Sequence, residues 1–128
     1  MKKQDFRNII MEQFGSLNNL TSTKGEEYAR SDDDQLANFK RQAMDLGIPM
    51  EKVLLVYLNK HMDSIRTYIK SVPFPEPLSE PIESRIDDAI LYLILLRAMV
   101  VERQYVADPD GYISWLNKCG NNDAKSPE

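Results

Sequence analysis

Apolar side chains recur along this chain at three- and four-residue spacing, and no segment of useful length alternates as a strand would. Phe6, Ile10, Phe14 and Leu17, with Ile9 alongside, predict an amphipathic helix over about residues 3–18, followed by "LNNLTSTKG" as a polar connection. Leu36, Phe39, Ala43 and Leu46 then share a face from about residue 33, with one of Asp32–Asp34 as N-cap and Gly47 as the stop; a separate helical turn is expected around Glu26–Arg30. Pro49 opens a third helix that runs through "MEKVLLVYLNKHMDSIRTYIK" to the break at Pro73, Pro75 and Pro77. After the aperiodic "SVPFPEPLSE", a fourth helix starts near Glu80 with Pro81 in its first turn and continues to about Val106. "DPDG" at 108–111 reads as a turn, "YISWLNK" as a short amphipathic piece, and the end as a polar tail.

The pattern therefore predicts an all-α, single-domain bundle of four main helices over residues 1–107, with 108–128 as an appendage and with the third and fourth helices central and antiparallel. The fourth helix carries Leu91, Leu93, Ile94, Leu95, Leu96, Met99, Val100 and Val101, which leaves it almost no face for water. Such a helix is either central in its domain or shared with a second subunit, so a homo-oligomer is expected.

Composition narrows the setting. A length of 128 residues suits one domain with a core of its own, and one cysteine, Cys119, excludes an internal disulfide or a CxxC motif. Residues 1–20 show no signal-peptide apolar stretch, and the longest apolar run, Ala89–Leu96, is far below the ~20 residues of a membrane span. A cytoplasmic protein with no membrane partner is the expectation. The formal net charge of -4 argues against a broad basic surface for double-stranded nucleic acid, and leaves room for a small-ligand pocket.

Placing polar residues on these helices yields candidates. His61 falls within the apolar stripe Leu54, Leu58, Ile65 and Tyr68, where a buried imidazole needs partners, whether as a core histidine or as part of a site. Asn59, Asp63, Arg66 and Lys70 share another face and read as solvated ion pairs. In the fourth helix Arg85, Asp88 and Tyr92 form a line that becomes apolar at Leu95 and Met99, which places them at the rim where core meets cleft. Glu80, Glu83 and Asp87 occupy a different line, where they complement the helix N-terminus or, with more acids, hold a divalent metal. "KGEEY" offers Lys24, Glu26, Glu27 and Tyr28, which can be a charged loop or can handle phosphate, hydroxyl and base in turn.

"KGEEY", "LANF" at 36–39, "YLNKHMDSI" at 57–65 and "EPIESRIDDAILYL" at 80–93 resemble, in order, the small phage and bacterial family called nucleotide modification associated domain one. The likeness covers about residues 24–100, and departs where Leu91 stands in place of the asparagine common before the tyrosine. It implies a phage or prophage origin, and singles out Lys24, Glu27, Tyr28, Lys60, His61, Ser64, Arg85, Asp88 and Tyr92 as ligand-binding positions. It names no activity.

Three readings follow. In the first the protein binds a nucleotide or nucleotide-derived signal, for nucleotide metabolism or to sequester a host defence signal; Lys24, Lys60 and Arg85 face phosphate, Tyr28 or Tyr92 stacks on a base, and Asp88 orients Arg85 or reads a hydroxyl. It needs no cofactor. The second is a magnesium-dependent nucleotide pyrophosphohydrolase resembling the all-α enzymes, with Glu27, Glu83, Asp87 or Asp88 as metal ligands. The adjacent Glu26 and Glu27 depart from the Glu-x-x-Glu spacing of those enzymes, so binding ranks above hydrolysis. The third is a phage protein that binds a host protein through apolar surface around Phe74 or Trp115.

Overall fold

The computed structural model describes the backbone of residues 1–29, 34–74 and 77–123, and side chains there except at 21–29, 112, 115 and 119–123. Every regular element among these residues is a helix: α1 (Lys3–Ala29), α2 (Ala37–Leu46), α3 (Met50–Ser71), α4 (Ile82–Ala107) and α5 (Pro109–Asp123). No helix among them is long and apolar enough to cross a membrane. Asp32, Asp33, Arg30, Pro75 and residues 124–128 of the predicted caps, turns and tail lie outside the described residues.

α1 is longer than its periodicity predicted, because "LNNLTSTKG" continues the helix instead of interrupting it. The segment holds no proline, and single Gly, Thr or Asn residues cost a helix about 1 kcal/mol or less each. Leu17 is buried and Leu20 half-buried, so this segment extends the apolar stripe of Phe6 and Ile10 at spacings of four and three. Packing outweighs propensity.

α2 starts at Ala37, later than the pattern implied, with Leu36 at the N-cap. Asp34 stands two residues upstream, where its Oδ1 accepts the Leu36 N–H at 2.9 Å and its Oδ2 pairs with Lys40 Nζ at 2.5 Å. The Lys40 ammonium, helped by the Leu36 amide, holds the Asp34 carboxyl below its ordinary value. At the other end Gly47 takes φ 65°, the left-handed geometry that favours glycine, and the N–H groups of Gly47 and Ile48 donate to the Met44 and Ala43 carbonyls. Pro49, extended at φ -60° and ψ 145°, leads directly into α3.

The chain divides into two compact units, Met1–Leu95 and Leu96–Glu128, with the division falling inside α4. In the first, Leu17 of α1, Leu36 and Phe39 at α2, Met50, Val53 and Leu54 of α3, and Ala89 of α4 are buried. α4 is not covered on all sides there. Ile86, Leu93 and Ile94 are exposed in the single chain, which a helix wholly central in its own domain would not show and a helix shared with a second subunit allows. In the second unit Met99 is fully buried, and "DPDG" is a helix start, not a turn. Asp108 Oδ1 accepts the Gly111 N–H at 3.0 Å, and Pro109 occupies the first helical position, where its missing N–H costs nothing.

Candidate functional site

Two pairs of side chains, each four residues apart, bring the sequence candidates together. Tyr57 and His61 stand one turn apart on α3, Asp88 and Tyr92 one turn apart on α4, and i, i+4 spacing aligns each pair along one helix face. His61 Nδ1 lies 3.6 Å from Asp88 Oδ2, with only 12% and 13% of the two side chains exposed. That separation is an ion-pair contact when the imidazole is protonated, and is longer than a direct hydrogen bond. The His61 ring also stacks on Tyr92, with centroids 5.2 Å apart and planes at 26°.

The stack continues outward. Tyr92 and Tyr57 are parallel within 3° at 6.0 Å, and Phe39 of α2 meets both edge-on, at 6.2 and 6.4 Å. Edge-to-face and offset geometry suits the quadrupoles of these rings. Tyr57 keeps part of its surface in solvent and donates its hydroxyl hydrogen to Gln42 Oε1 at 3.0 Å. Three helices thus build one aromatic wall with an imidazole and a carboxylate at its inner end.

The other candidates are placed around it. Lys60, next to His61, is exposed, and Ser64, one turn further on, is half-buried. Arg85 is largely buried, and its Nε lies 3.7 Å from Glu80 Oε2, so it reaches back to the segment before α4 while Asp88 faces His61. Glu80, expected to dress the helix start, therefore also holds an arginine. Asp87 accepts a hydrogen bond from Gln13 Nε2 of α1, and Glu83 is exposed. Lys24, expected in the connection, and Glu27 and Tyr28, expected in a separate helical turn, all fall on the last turns of the one helix α1, and their side chains lie outside the described set. Asp63 and Arg66 pair at 3.1 Å on the solvated face of α3.

Of the alternative metal ligands, Asp87 accepts from Gln13, Asp88 faces His61, and the Glu27 side chain lies outside the described residues; among the described residues no group of three or more His, Cys, Asp or Glu side chains is placed to hold a metal ion. Tyr57, Phe39 and Gln13 were missed as contributors. Tyr57 had a readable signal, its four-residue offset from His61, and Phe39 was assigned to the core only. Gln13 had none, since its partner is 74 positions away. No protein-family model, curated protein or solved structure matches the chain.

Proposed function

We propose that this protein binds a nucleotide or nucleotide-derived signal at the α3–α4 face, in a bundle where these two helices are central and antiparallel. The observation that supports the reading is the His61–Asp88 contact set against the Tyr92 and Tyr57 rings. An aromatic wall offers a base a stacking surface, and the imidazole and carboxylate can read a hydroxyl or ring N–H where little water competes. Lys60 and Lys24 would meet phosphate. Arg85 would join them by leaving Glu80, a partner more than half exposed and held at ion-pair distance only. Glu27, Tyr28 and Ser64 complete the set that the resemblance to the nucleotide modification associated family brings in, and with it a phage protein in the host cytoplasm, serving nucleotide metabolism or sequestering a defence signal.

The reading is tested by thermal-shift measurements with nucleotides, cyclic dinucleotides and ADP-ribose-type compounds, each with and without magnesium, followed by chromatography of the recovered compound. Stabilisation without magnesium and recovery of intact compound is the expected result. A magnesium-dependent shift with consumed compound would instead establish the pyrophosphohydrolase, and no shift in any arm would overturn the ligand reading. The remaining alternative, a host-protein partner, has one feature in its favour, the nearly fully exposed Phe74 between α3 and α4.

A further inference from the structure

The apolar stripe of α1 begins in solvent. Phe6, Ile10, Gln13, Leu17 and Leu20 follow one another at spacings of four, three, four and three, so they share one helix face. That face is buried at Leu17 and hydrogen-bonded to α4 at Gln13, yet Phe6 is 58% exposed and Phe14, beside it, 62%. Ile9, Ile10 and Met11 are uncovered as well.

A matching face exists on α4. Glu83, Ile86, Ile90 and Leu93 lie on one line at spacings of three, four and three, opposite the line of Arg85, Asp88 and Tyr92, and Leu93 is 52% and Ile94 47% exposed. Ile86 to Ile94 and Phe6 to Phe14 each span eight residue steps, about 12 Å of helix at 1.5 Å per residue. Charge matches too. Residues 1–7 carry Lys2, Lys3 and Arg7 against Asp5 alone in a chain of net charge -4, and the first turns of α4 present Glu83 beside the apolar line.

We infer that the first half of α1 docks on the Glu83–Ile94 face of α4 in a second copy of this chain, reciprocally across a two-fold axis. The uncovered side chains of α1 offer on the order of 500 Å² and those of α4 roughly half as much. Two reciprocal copies of that contact bury roughly 1,500 Å², the size of a standard specific interface, whereas either face paired with itself would fall short of it. Arg7 and Lys3 then approach the partner copy's acidic helix start. This inference goes beyond the ligand reading and does not rest on it, since the side chains on neither face are His61, Asp88, Tyr57 or Tyr92.

The test is light scattering on the full chain as it elutes from a sizing column. A mass of twice 14.8 kDa is expected. Phe6→Asp with Ile10→Asp should halve it with no loss of the α3–α4 fold, checked by circular dichroism. Geometry is read by cysteines in a Cys119→Ser background: a chain with Ile10→Cys mixed with one carrying Leu93→Cys should give the mixed cross-linked dimer on oxidation. Arg7→Glu should weaken dimerisation, and adding Glu83→Arg should restore it. A single-chain mass, a dimer that survives the aspartate pair, or cross-links formed only between two Ile10→Cys chains would overturn the inference. So would binding of the single chain, through Phe6 and Ile10, to vesicles of anionic lipid.

Discussion

Tyr92→Ala is the sharpest test of the aromatic wall. Tyr92 is the one ring that meets the other three, stacking with His61 and Tyr57 and standing edge-on to Phe39. Each such pair contributes about 0.5–1.5 kcal/mol beyond the area it buries, and truncation of a large aromatic in a core costs about 3–5 kcal/mol in all. Because Tyr92 is half-buried, about 2–4 kcal/mol is the expected loss, from α2, α3 and α4 together. Tyr92→Phe keeps all three ring contacts and should cost less than about 1.5 kcal/mol, which separates the rings from the hydroxyl. Urea titration followed by helical circular dichroism measures both, with unchanged slope as the control for two-state behaviour. A double-mutant cycle with Phe39→Ala should show the two losses to be coupled. A Tyr92→Ala protein within about 0.5 kcal/mol of the parent, the size of an ordinary surface change, would refute the packing argument.

Three further outcomes are expected. Asp34 ionises more readily in the folded chain than its ordinary value of 3.8 implies, so its contribution is complete above that value and is lost as pH falls through the lowered one. Urea titrations between neutral and acid pH should therefore show a shallower acid decline for Asp34→Asn than for the parent, and equal declines would remove the Lys40 pairing as a source of stability. Glu80→Gln releases Arg85 from its ion pair and should tighten binding of any phosphate-bearing compound found in the thermal-shift test, whereas Arg85→Ala should weaken it; titration calorimetry on both decides whether Arg85 serves phosphate. Asp108→Ala removes the side-chain acceptor at the head of α5 and should cost about 1 kcal/mol, read as faster amide exchange in the first turn of α5 with α2 and α3 unchanged.

Helical class was legible because the three- and four-residue periods of α2 and α3 follow directly from which side chains are buried. Boundaries were less so. "LNNLTSTKG" looks like a connection by composition, but Leu17 and Leu20 keep the helix face running, and tertiary burial outweighs a few weak helix formers. "DPDG" carries two meanings, since the Asp-Pro step that favours a turn also favours an N-cap with proline behind it; the helical residues that follow decide between them. Within the candidate site, the juxtaposition of His61, Asp88 and Tyr92 was readable because each lies on the inward line of its helix. Arg85 shares that line, yet a long side chain can reach back past its own first turn, and no spacing rule reports that Glu80 would be waiting. The uncovered face of α1 was unreadable for a different reason, and for α4 the pattern left a central and a shared position both open. An apolar stripe has the same sequence whether its own chain or another covers it.

His61 is the only histidine in the chain, so its ring C–H signals form an unambiguous reporter by proton NMR of the unlabelled protein. The most direct measurement is a titration of those signals with the compound that stabilises the protein most strongly. If the ligand lies against the wall of Tyr57, Tyr92 and His61, the signals shift with the same saturation as the thermal stabilisation, and Asp88→Ala abolishes both while its circular dichroism stays that of the parent. Saturating stabilisation with unmoved His61 signals would put the ligand elsewhere and contradict the account.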